Sequence, residues 1–446
     1  MSERSERPVE PSERSERPVE PSERSERPVE PSEFEHLPIT PATGEAEAVA
    51  VVKEWVERAV PIEWREAAAR GGASEIRTVR TRADYESWYP TFARTGLVAP
   101  MWPREYGGLG LPSRLARAVE GELAPYNLGR LNILGLNLAG PTIMAFGTDA
   151  QKARFLPKIV RNEEVWCQLF SEPGAGSDLA SLATRAERDG DEWVITGQKV
   201  WSTWAHFADY GMCIARTDPT AKKRGGITYF LLPMRQPGVE VRPLIQITGE
   251  HDFNEVYLDG ARVPDTCRIG DEGDGWKVAN ATLSGERQMV AGPGSGGVDR
   301  IGGSGVDKLI TLARERGLAD DLVVRQRLAA LWSLEKIRRW TNARVRDNAR
   351  AGRVGPESSI GKVTNAEINI HTQELAVDLL GPDALAWEGA PLDFPREVFG
   401  FLRSRANTIE GGTSEVNRNV LGERVLGLPR EPDPYLDASW QETPRS

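Results

Sequence analysis

The succession of secondary-structure patterns along this chain of 446 residues constrains its possible folds more than any other feature. Apolar residues recur at helical spacing from Glu45 to about residue 160. Between residues 192 and 264, short segments rich in Val, Ile, Tyr and Phe are bounded by Gly or Pro, which is typical of strands. Helical patterns return from Gly275. This order predicts helices, then a β domain, then a helical bundle, and it argues against the alternating βαβ units of a doubly wound nucleotide-binding sheet.

Local signals place some of the helix ends and faces. Pro61 predicts a kink or a break after the first helical segment, and Thr148 with Gln151 predicts a capping box ahead of a later helix. Residues 322–347 predict a long helix with one apolar stripe, formed by Leu328, Leu331, Leu334, Ile337 and Trp340. We expect this helix to belong to an antiparallel bundle.

The first residues differ in composition from the rest of the chain. Residues 2–31 are three copies of SERSERPVEP, which offers almost nothing apolar to bury and therefore predicts disorder rather than a fold or a signal peptide. The expected division of the chain is a disordered repeat tail at 1–38, an N-terminal helical domain at 39–161, a β domain at 162–270, a C-terminal helical bundle at 271–431 and a C-terminal tail at 432–446.

Composition argues against several classes of protein. With 56 basic against 66 acidic side chains the net charge is −10, which argues against a nucleic-acid binder because such proteins need a basic surface. No run of about 18 uncharged apolar residues occurs, so no integral membrane segment is expected. Three cysteines without a CxxC spacing predict neither a disulfide framework nor a metal site. We expect a protein of the reduced cytoplasm.

Two short motifs in the β region carry chemistry. The GAGSD sequence at 174–178 offers backbone N–H groups and the hydroxyl of Ser177 in a tight loop, which suits an anionic or carbonyl-rich ligand. The KVWST sequence at 199–203 sets the aromatic plane of Trp201 beside two hydroxyls, which suits a flat, polar ring system. From these residues alone, an ordinary β-domain loop with a packed tryptophan stays open as the alternative.

A glycine-rich stretch at 292–297, GPGSGG, formally matches the GxGxxG fingerprint of dinucleotide-binding sheets. It follows a helical pattern rather than a strand, and no βαβ pattern surrounds it. We therefore interpret it as a loop and not as an NAD site.

The two β-region motifs resemble the signature of the acyl-CoA dehydrogenase family, with EPGAGSD at 172–178 and GQKVW at 197–201. The stretches APMWPREYGGLGL at 99–111 and RANTIEGGTSEVNRNVLGERVLGLPRE at 405–431 look like the family's N-terminal turn and C-terminal signature. The resemblance runs from about residue 88 to residue 429. It implies an α+β multidomain fold with an N-terminal all-α domain, a central β-barrel-like domain and a C-terminal four-helix bundle. It also implies bound FAD.

The family pattern, carried over position by position, implies two groups of ligand-binding residues. Those expected to contact FAD are Gln168, Phe170, Ser171, Gly176, Trp201, Ser202, Thr203, Gly412, Thr413 and Glu415, with Arg325, Gln326, Asp378 and Gly381 reaching the FAD of a neighbouring subunit. Those expected to contact the acyl-CoA substrate are Ser177, Ser284, Arg287, Glu410 and Gly411. A site completed across an interface implies a homodimer or homotetramer, with a heteromer also open. A further FAD-binding arginine of the family corresponds to Arg314 or Arg316, and the spacing leaves that choice open.

The reaction of this family is α,β-dehydrogenation, in which a glutamate removes the α-proton of the thioester and the β-hydrogen leaves as hydride to the flavin. Family members place this glutamate at one of two positions. One immediately precedes the GT motif, where this chain has Gly411, with Glu410 displaced by one residue. The other lies on the helix after the β domain, in a Glu-Arg pair that is here Glu286 and Arg287. We expect Glu286 to be the base, with Glu410 as the alternative.

The resemblance also implies a 2,3-enoyl-CoA product and electron transfer to electron-transfer flavoprotein, as in fatty acid β-oxidation. An oxygen-reactive acyl-CoA oxidase or flavin monooxygenase of the same fold is one alternative, although about 400 residues after the tail favour the shorter dehydrogenase. A non-catalytic partner subunit of a heteromeric dehydrogenase is another, against which Glu286, Trp201 and Thr203 argue. His206 and His251 are interpreted as structural. The acyl group, whether straight, branched, long or ring-bearing, does not follow from the sequence.

Overall fold

Helices, then strands, then helices follow one another along the chain, in the order that the sequence predicts. The computed structural model describes residues 34–291, 305–351, 355, 358–387, 389–390 and 392–444, with the backbone alone for residues 73–74, 284–291, 349–350 and 358. The SERSERPVEP repeats and the glycine-rich stretch at 292–297 lie outside the described residues, so the expectations about both stay predictions.

The elements before the sheet are helical, as predicted. They are α1 (Glu45–Ala59), α2 (Ile62–Gly71), α3 (Ala73–Val79), α4 (Arg82–Ala93), α5 (Ser113–Leu123), α6 (Gly140–Phe146), which follows a π turn at Gly135–Ala139, and α7 (Asp149–Arg161). The break predicted at Pro61 is confirmed, because it separates α1 from α2. Aromatic rings from α1, α2 and α4 pack together in the core, where Trp88 contacts Trp55, Trp64 and Phe92.

Gln151 fixes the last of these helices to the sheet. Thr148 Oγ1 accepts the backbone N–H of Gln151 at 3.2 Å, and Gln151 Oε1 accepts the backbone N–H of Thr148 at 2.8 Å, so the predicted capping box is confirmed. Nε2 of the same side chain donates to the carbonyl oxygens of Thr266 and Arg268 at 2.7 and 2.8 Å. One side chain therefore caps α7 and also holds the end of the strand region.

The described strands form one eight-stranded sheet. They are β1 (Trp166–Leu169), β2 (Arg185–Asp189), β3 (Glu192–Lys199), β4 (Tyr210–Arg216), β5 (Ile227–Pro233), β6 (Val239–Leu244), β7 (Phe253–Pro264) and β8 (Arg268–Ile269). Their order is β6-β7-β3-β2-β4-β5-β8, with β1 parallel to β4, and this sheet forms the central β domain that was expected. Because side chains alternate along a strand, Tyr229 and Leu231 pack towards the N-terminal helices, whereas Phe230 and Leu232 pack in the sheet's own core.

The helices after the sheet form the predicted bundle. They are α8 (Gly275–Ala291), α9 (Val306–Glu315), α10 (Leu322–Arg350), α11 (Ser358–Leu380), α12 (Arg396–Ser404) and α13 (Ser414–Val420). Helix α11 packs against α8, α9 and α10, which confirms the four-helix bundle. Within the described ranges, no helix combines the length and the apolar composition that a membrane crossing requires.

The apolar stripe predicted for α10 is wrong in part. Leu328 and Leu331 are buried, but the exposed fractions of the last three residues are 41, 53 and 68% for Leu334, Ile337 and Trp340. Each three-residue step turns about 300° around an α-helix, so residues spaced strictly by three drift away from the buried face by about 60° per step. Glu335, four residues after Leu331, takes the next buried position instead.

We expect Gln151→Ala to reduce the free energy of unfolding by about 2 to 3 kcal/mol, because it removes a cap and leaves the Thr266 and Arg268 carbonyl oxygens without their donor. Urea unfolding measures the loss. The matched control is Asp84→Ala, which removes the partner of an exposed capping box with Thr81 and should reduce the free energy of unfolding by clearly less. Equal losses in the two variants would show that the bridge to the sheet contributes nothing.

Candidate active site

A buried ion pair joins the two motifs singled out in the sequence. Lys199, the last residue of β3, is fully buried, and its Nζ donates to Glu172 Oε1 at 2.8 Å. The same ammonium donates to the carbonyl oxygens of Ile214 at 2.8 Å and Phe170 at 3.1 Å, so each of its three protons has an acceptor. Because Glu172 opens the EPGAGSD motif, the pair fixes this loop against the end of β3.

The Glu172 carboxylate also holds the far end of the same loop. Its oxygens accept the backbone N–H groups of Ala183 and Thr184 at 2.7 and 2.9 Å. Burial acts to raise the pKa of this carboxyl, but Lys199 and the N–H groups outweigh burial and hold the pKa below its ordinary value. The loop is therefore closed at its base by an ionised carboxylate, while Gly176 and Ser177 are exposed.

The turn that begins at Trp201 follows directly after Lys199. Trp201 has a left-handed backbone, with φ of 59°, and 61% of this residue is exposed. Ser202 is fully buried; its N–H donates to the Asn254 carbonyl at 3.0 Å, and its own carbonyl accepts Asn254 Nδ2 at 2.9 Å. Thr203 is half-buried. The sheet therefore presents an aromatic plane with hydroxyl groups next to it.

The predicted cofactor residues around β1 differ in their surroundings. Gln168 lies within β1, beside the parallel strand β4. Phe170 is buried and packs edge to face on Tyr229, with ring centroids 5.9 Å apart, so its side chain belongs to the core. The carbonyl of Ser171 accepts the N–H of Val200 at 2.9 Å, which brings the EPGAGSD loop beside the Trp201 turn.

His206 contacts Asn254, the residue that binds the backbone of the Trp201 turn, and His251 lies beside His206. His206 Nδ1 is 3.2 Å from Asn254 Oδ1, and the rings of His206 and His251 are 6.0 Å apart. Burial lowers the pKa of His206, which favours the neutral ring at pH 7. A neutral ring bonded to Asn254 supports the turn, in keeping with the structural interpretation of these histidines.

Glu410 is engaged in structural contacts. Its two carboxylate oxygens accept Nη2 of Arg403 at 2.8 Å and Nδ2 of Asn407 at 2.6 Å. Asn407 is held in turn, because its carbonyl accepts Nζ of the buried Lys362 at 2.9 Å and its Oδ1 accepts Nδ2 of Asn369 at 2.7 Å. Burial lowers the pKa of Lys362, although nearby carboxylates act against this. Glu410 is thus part of a network that ties the chain before α13 to α11.

The GGT turn after Glu410 exposes main-chain groups. Gly411 and Gly412 have φ of 65° and 87°, a left-handed conformation that suits glycine. Thr413 caps α13 by accepting the backbone N–H three residues further on, at 3.1 Å. Ser414 is buried and Glu415 is exposed beside it.

The residues predicted to reach a neighbouring subunit lie together on the bundle. Arg325 and Gln326 are exposed near the start of α10. Nη1 of Arg327 donates to Asp378 Oδ2 at 2.6 Å and joins this turn to the end of α11, after which Gly381 has φ of 60°.

The structure gives less information on the candidate arginines at 314 and 316 and on the candidates along α8. Arg316 pairs with Asp383 beside the end of α11, whereas Arg314 is exposed on α9, so the choice between the two arginines stays open. Helix α8 is fixed between the helices and the sheet, because Thr282 Oγ1 shares hydrogen bonds with Thr142 Oγ1 at 2.9 Å and Tyr229 OH at 3.3 Å. The side chains further along α8 lie outside the described residues, and these include Ser284, Glu286 and Arg287.

The described residues fit FAD by the chemistry of their donors. Trp201 offers an exposed plane on which a flat ring can stack. The Oγ atoms of Ser202 and Ser414 are buried without a hydrogen-bond partner among the described residues, and an orphaned buried hydroxyl ordinarily marks a missing polar partner. Exposed backbone at Gly176 and Gly412 adds groups for a polar edge. A flat ring with a polar rim is complementary to this set.

Comparison with family models defines the class of protein. Residues 46–163 match the acyl-CoA dehydrogenase N-terminal domain, residues 167–261 the middle domain and residues 273–426 the C-terminal domain. The three matches cover well over half of the chain and follow the order of the fold. The chain belongs to the acyl-CoA dehydrogenase family, whose members are FAD-dependent oxidoreductases.

Individual relatives agree with this assignment. The chain is 40% identical over 373 residues to acyl-CoA dehydrogenase IpdE1 of Mycobacterium tuberculosis, covering 82% of this chain and 93% of that protein. It is 41% identical over 339 residues to acyl-CoA dehydrogenase FadE34 of the same organism, covering 76% and 45%. Among solved structures, the Tcur3481-Tcur3483 steroid ACAD is similar with a TM-score of 0.68 and 28% identity, covering 87% and 98%. The ChsE4-ChsE5 complex from Mycobacterium tuberculosis has a TM-score of 0.65 and 29% identity, with the same coverage.

Sequence reasoning missed the residues that support the loops. Opposite charges in the two motifs, Glu172 in one and Lys199 in the other, were a signal that could have indicated the ion pair. No local pattern marks Asn254 or Lys362, because each acts on a segment far away in the sequence.

We expect Lys199→Met to reduce the free energy of unfolding by about 3 to 5 kcal/mol, because it leaves the Glu172 carboxylate buried without its cation. Urea unfolding at neutral pH measures the loss. The matched control is Arg262→Met, which breaks exposed ion pairs with Asp189 and Glu192 and should reduce the free energy of unfolding only slightly. A similar small loss in both variants would contradict the assigned role of the buried pair.

The same pair predicts a pH dependence. The pKa of Glu172 is lower in the folded than in the unfolded protein, so its ionised form stabilises the fold above the unfolded-state pKa. That contribution is lost as the pH falls through the folded-state pKa. The gap in unfolding free energy between wild type and Lys199→Met should therefore narrow in acid, and a constant gap from neutral to acid pH would contradict this.

Proposed function

We propose that this protein dehydrogenates a bulky, ring-bearing acyl-CoA thioester to the 2,3-enoyl-CoA and passes the electrons to electron-transfer flavoprotein. The observation that carries the proposal is the joint placement of the EPGAGSD loop and the Trp201 turn around the Lys199–Glu172 pair, in a member of this family. Likeness to the Tcur3481-Tcur3483 steroid ACAD, at 28% identity, supports a ring-bearing acyl group. Free cysteines, of which Cys167 and Cys213 are buried, support the proposed cytoplasmic location.

When bound, FAD supplies the two-electron acceptor that takes the β-hydrogen of the substrate as hydride. The residues proposed to hold it lie along β1 and just after it, at the two loops and at the GGT turn. They are Gln168, Phe170, Ser171, Gly176, Trp201, Ser202, Thr203, Gly412, Thr413 and Glu415. Ser177, Ser284, Arg287 and Gly411 are proposed to bind the thioester. Backbone N–H groups near its carbonyl oxygen would stabilise the negative charge that develops there.

Glu286 is the proposed base, whose carboxylate accepts the α-proton of the thioester. Position 286 is four residues beyond Thr282, which is one helical turn along α8. Thr282 is buried, so this part of α8 is held firmly between the N-terminal helices and the sheet. Glu410 is less suited to the role, because Arg403 and Asn407 already occupy both of its oxygens.

The exposed face of α10 supports an oligomer in which subunits complete each other's cofactor sites. Leu322, Val323, Ile337 and Trp340 are all exposed. Gln326 precedes Ile337 by eleven residues, which is about three helical turns, so the two lie on the same face. An extended apolar face is typical of a subunit interface. We propose a homodimer or homotetramer in which Arg325, Gln326, Asp378 and Gly381 reach a neighbour's FAD, with a heteromer, as in the ChsE4-ChsE5 complex, as the alternative.

A panel of CoA thioesters tests the proposed function. Short straight, long straight, branched and ring-bearing acyl groups are each added to the flavin-loaded protein, and flavin bleaching and reduction of a dye acceptor are followed. We expect the fastest bleaching with the ring-bearing thioester, and sustained turnover when electron-transfer flavoprotein replaces the dye. Oxygen consumption without another acceptor would indicate an oxidase, and bleaching by none of the thioesters would indicate a non-catalytic subunit.

We expect Glu286→Gln to slow flavin reduction by substrate about 10²- to 10⁴-fold, because the amide cannot accept the α-proton. Stopped-flow bleaching of the flavin at saturating substrate measures the rate. Glu410→Gln is the matched control and should stay within about tenfold of wild type, since its role is structural. The assignment of the base is wrong if Glu286→Gln reduces its flavin at nearly the wild-type rate, and a large loss in Glu410→Gln alone would move the role to Glu410.

We expect the double variant Ile337→Asp, Trp340→Asp to dissociate the oligomer, because two carboxylates cannot be buried unpaired in an apolar interface. Sedimentation velocity measures the mass, and absorbance measures how much FAD the protein retains. Ile62→Asp, at an exposed apolar position on α2, is the control and should leave both unchanged. An unchanged mass in the double variant would exclude this face as the interface.

A further inference from the structure

The end of the chain returns to the sheet. Residues 437–443, here named the C-terminal strap, lie along the segment that follows β4. The N–H of Trp440 donates to the carbonyl of Ala221 at 2.9 Å, and the N–H of Gln441 donates to that of Pro219 at 3.2 Å. Lys222 forms an antiparallel bridge with Ser439, and its Nζ pairs with Asp437 at 2.5 Å. The strap lies beyond residue 426, where the match to the family's C-terminal domain ends.

Trp440 anchors the strap. Its side chain is buried, and its Nε1 donates to the carbonyl of Ser181 at 3.3 Å. The guanidinium of Arg216 lies over its ring, 4.7 Å from the centroid, in a cation–π contact. A capping box between Ser439 and Glu442, with Oγ to Oε2 at 2.6 Å, keeps the strap in a tight turn around the tryptophan.

Arg216 and Trp440 together bind three consecutive carbonyl oxygens. Nη2 of the buried Arg216 donates to Ala180 at 2.7 Å and to Leu182 at 3.5 Å, on either side of the Ser181 carbonyl that Trp440 binds. These three residues lie two to four positions after the end of the GAGSD sequence. The backbone of residues 180–182 is therefore oriented by two side chains, Arg216 from the sheet and Trp440 from the strap.

Ser181 connects this held backbone to residues 176–178, which form the tip of the loop, through two hydrogen bonds to Asp178. Its Oγ donates to Asp178 Oδ2 at 2.5 Å, and its N–H donates to the Asp178 carbonyl at 3.0 Å. Burial acts to raise the pKa of Asp178, but hydrogen bonds from Lys223 and Ser181 outweigh burial and lower it, so Asp178 is an ionised anchor. Ser177 and Gly176 precede this anchor directly. Their place thus depends on Ser181, and through it on the strap.

We propose that Trp440 and Arg216 are positioning residues that set the conformation of residues 176–178 and thereby the affinity of the protein for FAD and for acyl-CoA. The acyl-CoA part rests on the proposed function, whereas the FAD part does not. The Lys199–Glu172 pair closes the base of the loop, and the strap orients the stretch between that base and the tip. Neither positioning residue takes part in proton or hydride transfer, so ligand affinity should change and the chemical step should not.

The test compares Trp440→Ala with wild type in two measurements. FAD is titrated into the flavin-depleted full chain to give its Kd, and KM and kcat are measured at saturating FAD with the best thioester. We expect Trp440→Ala to raise the Kd and the KM about tenfold while kcat stays within about twofold. Trp440→Phe should recover only part of the affinity, because it keeps a ring beneath Arg216 but removes the Nε1 donor of the Ser181 carbonyl. Tyr435→Ala, an exposed aromatic residue just before the strap, is the matched control and should change neither constant.

A Kd and a KM within twofold of wild type in Trp440→Ala would overturn the proposal, as would a loss confined to kcat or an equal loss in Tyr435→Ala. Should Trp440→Ala not fold by circular dichroism, Arg216→Lys decides, because lysine keeps the charge but lacks the planar guanidinium that lies over Trp440 and binds the Ala180 and Lys223 carbonyls through two separate nitrogens. We expect the same rise in Kd, and an unchanged Kd overturns the proposal. Since the FAD titration contains no substrate, it decides the role of the strap even if no thioester is oxidised, an outcome that counts against the proposed function alone.

Discussion

The ion pair between Lys199 and Glu172 is the interaction on which the candidate site depends. One fully buried ammonium binds the carboxylate and the carbonyls of Phe170 and Ile214, so the ends of β1 and β3 and the middle of β4 meet at a single point. If either side chain moved away, the other charge would remain buried without a partner, and an unpaired buried charge is strongly destabilising. The loops on either side can therefore present exposed groups, such as Trp201, without losing their positions.

The candidate site contains two kinds of residue, namely those that support its loops and those proposed to face the ligands. Side chains below the loops have their hydrogen-bonding capacity filled by the protein, as Glu410 does with Arg403 and Asn407. The groups proposed to face the ligands are exposed, like Trp201, or, like the Ser202 and Ser414 hydroxyls, buried without a partner among the described residues. A preorganised site needs both kinds, because unsatisfied groups keep their geometry only when saturated ones hold them. This difference argues against Glu410 as the base, because both of its carboxylate oxygens already have partners in the protein.

The parts of the fold that the sequence could predict are those set by short-range physics. The order of helices and strands, the break at Pro61 and the capping box of Thr148 are each encoded within a few residues, and each is confirmed. The strand order, the buried ion pair and the strap are set by contacts between distant segments, and Trp440 lies 259 residues from Ser181. No local pattern carries such a contact. The family resemblance supplied the residues that are predicted to face the ligands, but not the side chains that hold those residues in place.

The exposed apolar residues of α10 explain two things, namely why the predicted stripe is wrong in part and why this face is proposed as a subunit interface. Apolar residues at helical spacing indicate that one face of the helix is buried, but not whether it is buried by the same chain or by another subunit. Leu328 and Leu331 are covered by the bundle, whereas Ile337 and Trp340 have rotated to the opposite side, where Gln326 also lies. In the proposed oligomer that side meets a second subunit, so the residues that the pattern marks as apolar are buried by the assembly. The same contact that hides them would then bring Gln326 to the neighbour's cofactor, which couples the burial of an apolar face to the completion of a binding site.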